Sequence, residues 1–250
     1  MIDAHDRDLF SPEHHAFRDT VRRYLAETIA PHLDRHERDG IVERGAWEKA
    51  GAAGLLCPQV PEAYGGLGLD FGFNAIVGEE ISYLGSAVGF TLQSDIVADY
   101  LVHYGSEEQK LRYLPGMVAG TTISAIAMTE PGAGSDLQAL KTIARRDGNG
   151  WALSGAKTYI TNGHSADLVI VAARTTEEGG ARGLSLFLVE AGDEGFSRGR
   201  NLDKIGLHGN DTAELFFDAV KLPADRLLGG ENAGFGMLMN QLPQERLSIA

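Results

Sequence analysis

Cysteine occurs once in the 250 residues, at Cys57. No intrachain disulfide framework can form, and the sequence predicts a reducing compartment. A lone thiol beside Pro58 reads as a small packing residue, since no base or helix start stands next to it. Basic side chains are also scarce: 22 Lys and Arg face 35 Asp and Glu, a formal net charge of −13. That balance argues against a nucleic-acid partner, which would need clustered Lys and Arg; the pairs Arg22-Arg23 and Arg145-Arg146 are too short to overturn it. A polyanionic cofactor stays open if backbone N–H groups hold its phosphates. No apolar run approaches the length of a membrane span. The acidic opening MIDAHDRDLFSPEHH lacks the basic-then-apolar order of a signal peptide, so the expected location is cytoplasmic. Internal repeats and low-complexity tracts are absent as well. What remains is ordinary for a globular chain, 43% apolar and 23% charged, with length for one large or two modest domains.

Two textures divide the chain. Up to about residue 120 the pattern is helical. Ser11, Pro12 and Glu13 make a good helix start, and Phe17, Val21, Tyr24, Leu25 and Ile29 recur at helical spacing until Pro31. A short helix is predicted over about 46–53, then a loop in CPQVPEAYGGLGLDF. Longer helices are predicted over about 73–84, 87–104 and 107–119, with Gly105 closing one and Ser106 capping the next. From Ile123 short β-rich runs alternate with Gly, Asn and Asp, the pattern of an antiparallel sandwich or barrel, with a hairpin signal in DGNG. After GGENAG helical character returns from about Phe235. The closing LPQERLSIA reads as the first turns of an amphipathic helix with Pro243 at its start.

Few stretches can carry chemistry. AMTEPGAGSD, residues 127–136, follows an apolar strand and packs glycines, a proline and hydroxyl or carboxyl groups into a tight loop. Glycines let backbone N–H groups approach a ligand, and Ser135 offers a hydroxyl to a phosphate oxygen. It is neither a Walker loop nor a G-x-G-x-x-G, and a plain glycine-rich β-turn explains it equally. KTYITNG, residues 157–163, places Tyr159 two residues before Thr161, on one face of a strand, where a ring and a hydroxyl suit the edge of a flat heteroaromatic group. A half-buried strand ending in an Asn-Gly turn is the plainer alternative. His32 and His36 could share a helix face as metal ligands, but no supporting constellation accompanies them. Neither His14 nor His15 defines a Ser-His-Asp order. Glu245, taken alone, is an acid near a helix start.

Taken together, AMTEPGAGSD, KTYITNG, GRNLDKIGLHGNDTAELFFDAVKLP and LPQERLSIA resemble the acyl-CoA dehydrogenase family, most closely its long-chain and isovaleryl-type branch. The likeness runs from the first helices to Ala250. It implies an α+β chain of three parts: an N-terminal helical domain (1–122), a middle antiparallel β-barrel or sandwich domain (123–231), and the start of a C-terminal helical bundle (232–250). It implies FAD as cofactor and an acyl-CoA substrate, converted to a trans-2-enoyl-CoA as a carboxylate takes the α-proton and a hydride passes from Cβ to the flavin. A weakly acidic α-proton calls for a desolvated, well-placed base.

Carried over position by position, Ile126, Ala127, Met128, Thr129, Gly134 and Ser135 would face FAD, and Tyr159, Ile160 and Thr161 would flank its ring system. Ser135 would also meet the substrate, with Ala181 and Arg182 near the CoA moiety, although Arg182 could equally be a solvated loop cation. Glu245 would be the base, with Pro243, Gln244 and Arg246 around the acyl-CoA, and Phe90 and Thr91 would line the acyl pocket. The resemblance further implies an electron-transferring flavoprotein as acceptor, a homotetramer at full length, and a mitochondrial matrix location in a eukaryote. The family continues through a helical bundle that this sequence does not carry, so a 250-residue chain should lose much of its flavin affinity and activity. A flavin-dependent oxidase or monooxygenase on the same fold, and a non-catalytic acyl-CoA or partner-binding relative, remain alternatives.

Overall fold

The computed structural model describes residues 9–176 and 180–250; the first eight residues of the acidic opening lie outside them. Helix α1 (Pro12–Tyr24) starts as expected, with a capping box between Ser11 and His14 and Pro12 in its first turn. A π-helical turn (Leu25–Ile29) and a 3-10 turn (Ala30–His32) absorb Pro31 before α2 (Leu33–Asp39). Then come α3 (Arg44–Ala52), α4 (Phe71–Leu84), a second π turn (Leu92–Val97) running into α5 (Ala98–Tyr104), and α6 (Glu107–Ala119), capped by Ser106.

The helix predicted from residue 87 begins later, at Phe90. Gly89 is pressed against Asn162, where an added Cβ would lie 2.1 Å from the amide oxygen, and Asn162 Nδ2 donates to Gly89 O at 3.1 Å. That tertiary contact outweighs local helix propensity.

The strands are β1 (Ser124–Ala127), β2 (Ile143–Asp147), β3 (Gly150–Thr161), β4 (Leu168–Arg174), β5 (Leu184–Glu190), β6 (Phe196–Asn201), β7 (Thr212–Leu222) and β8 (Leu227–Leu228). They form one sheet in the order β6-β7-β3-β2-β4-β5-β8, with β1 added on β4. Pairing is antiparallel as expected, except that β1 and β2 each meet β4 in parallel. The predicted DGNG hairpin joins β2 to β3, pairing Asp147 with Gly150 and using the left-handed φ of Gly148.

Strand β4 is buried on both faces, which is why it reads as a continuous apolar run. Leu168, Ile170 and Ala172 join the helices in one core, while Val169, Val171 and Ala173 join Trp151 and Phe187 in a second. Gln93 stitches the two halves together. Its amide donates to Met117 O on α6 at 2.8 Å and accepts from Ser124 N on β1 at 2.9 Å.

The last helix, α7 (Gly234–Ile249), corrects one expectation: Pro243 lies inside it rather than at its start. A proline there removes a hydrogen bond to the carbonyl four residues back, that of Met239. Met239 and Pro243 are both exposed, so water can satisfy that carbonyl and the helix tolerates the break.

Candidate active site

Two of the sequence motifs meet through a buried lysine. In β3, Trp151, Leu153 and Lys157 fall on the inward face by strand alternation. Lys157, with no exposed side-chain surface, donates to Met128 O at 2.9 Å and to Glu130 Oε1 at 2.9 Å. Glu130 also accepts from Lys141 N at 2.7 Å and Thr142 N at 2.9 Å. Burial works against the charged form of Glu130, but the Lys157 ammonium and these hydrogen bonds prevail and hold its carboxyl below the usual range. Burial in turn pulls the Lys157 ammonium down to about 8, against the pull of Glu130, so both are ionised at neutral pH. Thr158 N donates to Thr129 O at 3.0 Å, a further tie between the loop and the strand.

The loop itself is the tight turn that the plainer reading described, with Glu130 and Ala133 exchanging backbone hydrogen bonds. Yet Gly132 and Gly134 have no left-handed φ, and a Cβ at either would meet nothing within 4 Å. Neither backbone geometry nor packing within the chain demands glycine there, whereas a ligand lying close against the loop would. Ile126 and Ala127 are buried in β1, Met128 and Thr129 are half-buried, and Ser135 is exposed beside Gly134.

On β3, Ile160 is buried between exposed Tyr159 and half-buried Thr161, as alternation expects. Spacing gave no sign of the backbone at Tyr159, whose φ is +58°. Between Lys157 and Ile160 the register against β7 gains one residue, a bulge that turns the ring outward, 69% exposed. A bulky residue in the left-handed region is strained, and such strain concentrates at ligand sites.

A cavity of about 850 Å³ lies among α4, the second π turn and the end of α7. Its lining includes Thr161 from the predicted cofactor strand and Leu247, Ser248 and Ile249 from the predicted substrate helix. Thr91 lines it; Phe90 does not, its ring being fully buried and edge-on to Trp47 at 4.7 Å. Asp95 on the π turn accepts from Asn74 Nδ2 at 2.8 Å, and both residues face this cavity. Burial pushes Asp95 up to about 7.

Glu245 is not on the surface. The buried stripe of α7 runs Gly234, Met237, Leu238, Gln241, Glu245, at helical period, and leaves the glutamate 6% exposed. Tyr100 on α5 donates to Glu245 Oε1 at 2.6 Å. Burial raises the carboxyl's proton affinity, while the Tyr100 hydrogen bond and the Arg246 charge lower it; the net direction is up. Pro243 and Arg246 are exposed and Gln244 is half-buried, its amide donating to Ser248 Oγ at 3.3 Å.

Arg182 is exposed on a 3-10 turn (Gly180–Gly183) that packs against α7 and against the turn (Leu137–Ala139) after Ser135. The side chain of Ala181 lies outside the described residues. Sequence reasoning missed Tyr100, Glu130 and Lys157. An inward lysine in an apolar strand was the available signal for the last of these.

Other candidates resolve differently. Cys57 is fully buried, and burial pushes its thiol up to about 12, as fits a packing residue. His36 is spent on Glu43 at 2.7 Å, and no metal-holding group of three His, Cys, Asp or Glu occurs among the described residues. Ser11, His14 and Asp70 do connect in series, at 3.0 Å each, but Ser11 and Asp70 serve there as the N-caps of α1 and α4. No helix among the described residues is long and apolar enough to cross a membrane.

A helical first half, a sheet-rich middle and one closing helix that meet around a single cavity define the class, and comparison with known proteins gives it a family. The acyl-CoA dehydrogenase N-terminal domain profile matches residues 11–121 and the middle domain profile matches residues 125–220. The chain belongs to the acyl-CoA dehydrogenase family.

It is 53% identical to the mitochondrial long-chain specific acyl-CoA dehydrogenase of Sus scrofa over 253 residues, covering 100% of this chain and 59% of that protein. The crystal structure of an acyl-CoA dehydrogenase from Geobacillus kaustophilus superposes with a TM-score of 0.95 at 48% identity, covering 97% of this chain and 64% of that one. A glutaryl-CoA dehydrogenase from Mycobacterium smegmatis, solved in complex with FADH2, is 30% identical with a TM-score of 0.87, over 98% of this chain and 62% of that one. The chain thus spans about three-fifths of the length of such relatives.

Proposed function

We propose that the complete protein is an FAD-dependent dehydrogenase of acyl-CoA thioesters, forming trans-2-enoyl-CoA, with Glu245 as the base that takes the α-proton. The observation that carries this reading is the burial of Glu245 one helical turn from Ser248 and Ile249, which line the cavity that Thr161 also borders. A desolvated carboxylate is a stronger base than an exposed one, and α-protons of thioesters need that strength. Because its proton affinity is raised, Glu245 must lose a proton before it can act, so turnover should rise with pH through its titration.

The residues present suit a flavin. Met128, Thr129, Gly134 and Ser135 would hold it from the loop, where the glycine positions leave open space, and Tyr159, Ile160 and Thr161 would hold it from β3. When bound, FAD supplies the acceptor for the hydride that leaves Cβ. Lys157 keeps the two supports in register by anchoring Met128 O to β3. Arg182, on the turn that packs against α7 and against Leu137–Ala139, and Ser135, just before the latter turn, would meet the CoA portion.

The reading includes divisions after residues 122 and 231, which the change from helices to strands and back supports. It also includes a fatty-acid or branched acyl-CoA substrate, an electron-transferring flavoprotein as acceptor and a homotetramer of the complete protein. The location it implies is the cytoplasm, or the mitochondrial matrix in a eukaryote.

The test uses the full-length flavoprotein under anaerobic conditions, following loss of the flavin bands on addition of a panel of acyl-CoAs. Glu245→Gln should retain flavin and bleach at least about 100-fold more slowly, the span of a lost general base. Unchanged bleaching in that variant would remove Glu245 from the mechanism.

A further inference from the structure

We infer that Tyr100 is the positioning residue for the base: its phenol holds Glu245 Oε1, sets the carboxylate's proton affinity, and leaves Oε2 to take the proton. This rests on Glu245 being the base, as proposed above. Tyr100 is fully buried on α5 and Glu245 nearly so on α7, and their contact at 2.6 Å joins positions 145 residues apart. An O–H···O contact that short is typical of a charge-assisted bond. Oε2 has no hydrogen-bond partner among the described residues. Neither Tyr100 nor Glu245 lines the cavity, whereas Ile96, one turn before Tyr100, and Ile249, one turn after Glu245, both do.

The donor is stable across the working range. Burial, then the bond to Glu245, drive the Tyr100 hydroxyl far above its ordinary titration, so it stays protonated. Around the pair, α5 carries Asp99, His103 and Tyr104, α7 carries Arg246, the π turn carries Asp95, and the 180–183 turn carries Arg182. Of these, Arg246 acts on Glu245 and Tyr104 on Tyr100. Removing the phenolic oxygen leaves burial opposed only by Arg246.

The experiment compares full-length Tyr100→Phe with wild type. The acid limb of kcat/KM for flavin bleaching should move about one pH unit upward, the size of one lost hydrogen bond to a charged group. Below that limb kcat should fall about tenfold while KM holds, since the cavity wall is untouched. In substrate-free protein, the infrared carboxyl band that Glu245→Gln removes should titrate at correspondingly higher pH in Tyr100→Phe.

Tyr104→Phe, whose ring lies 6.0 Å from that of Tyr100, should move neither midpoint. Should Tyr100→Phe fold poorly, site-specific 3,5-difluorotyrosine at position 100 keeps the shape but donates more strongly, and both midpoints should move down. Unmoved midpoints in the variants that fold, with Glu245→Gln inactive, overturn the inference and leave the base assignment standing. An active Glu245→Gln overturns both.

Discussion

Lys157→Met should be among the most damaging single changes in the middle of the chain, and the structure fixes why. The substitution removes an ammonium bonded to Met128 O and Glu130 Oε1, and leaves Glu130 buried without its counter-charge. Breaking one side of a buried pair costs about 3–5 kcal/mol. Methionine fills nearly the same volume, so no cavity cost is added, and Glu130 keeps its hydrogen bonds from Lys141 N and Thr142 N. The expected loss is therefore near the lower limit, about 3 kcal/mol.

Glu130→Gln should cost a similar amount, because it removes the ammonium's counter-charge and offers an amide N–H₂ where Lys141 N or Thr142 N already points as a donor. The double variant should be less damaged than the sum, by about 1–3 kcal/mol of coupling. Urea unfolding of all four proteins, with midpoints and slopes compared, measures that cycle. Acid adds a second check with a definite sign. Glu130's folded-state titration lies below its ordinary value of 4.5, so its contribution is present above that pH and lost as pH falls through the lower, folded value. Lys157→Met should lose less stability on acidification than wild type. Additive single effects, each below about 1 kcal/mol, would refute the account of this pair as the anchor of the loop.

Gly134→Ala tests the open space by the loop: folding stability in the absence of flavin should stay within about 0.5 kcal/mol of wild type, while flavin dissociates more readily from the variant. Equal flavin retention, followed by absorbance after ultrafiltration, would show that nothing approaches that Cβ. Asp95 should make stability fall as pH rises. Its folded-state titration, pushed up to about 7 from 3.8, means the native chain binds the extra proton across that window, and the advantage is lost on going up through it. Urea midpoints between pH 5 and 8 should show this downward slope in wild type and a flatter one in Asp95→Asn; identical slopes would clear Asp95.

The parts of the fold that local chemistry dictates were legible. Ser11 and Ser106 cap the helices they were expected to cap, and Asp147–Gly150 turns the predicted hairpin. What escaped was set by contacts distant in sequence. The start of the helix at Phe90 depends on Asn162, and the bulge at Tyr159 depends on its register against β7. The parallel placement of β1 on β4 likewise joins segments distant in sequence, which no strand pattern encodes.

The closing helix shows where more could have been extracted. Reading LPQERLSIA as a helix start put Glu245 beside an exposed terminus and made a solvated acid the natural view. Starting the helix at Gly234 instead places Gly234, Leu238, Gln241 and Glu245 at spacings of four, three and four, a single inward stripe. A carboxylate on such a stripe must be paired, hydrogen-bonded or protonated. The periodicity could thus have predicted that Glu245 needs a partner, but not that the partner is a neutral donor. A cation at that position would hold the carboxylate ionised yet weaken it as a base. Tyr100 supplies one hydrogen bond and no charge, so desolvation still dominates and proton affinity stays raised. That choice of partner separates a buried acid that merely stabilises a helix contact from one suited to taking a proton.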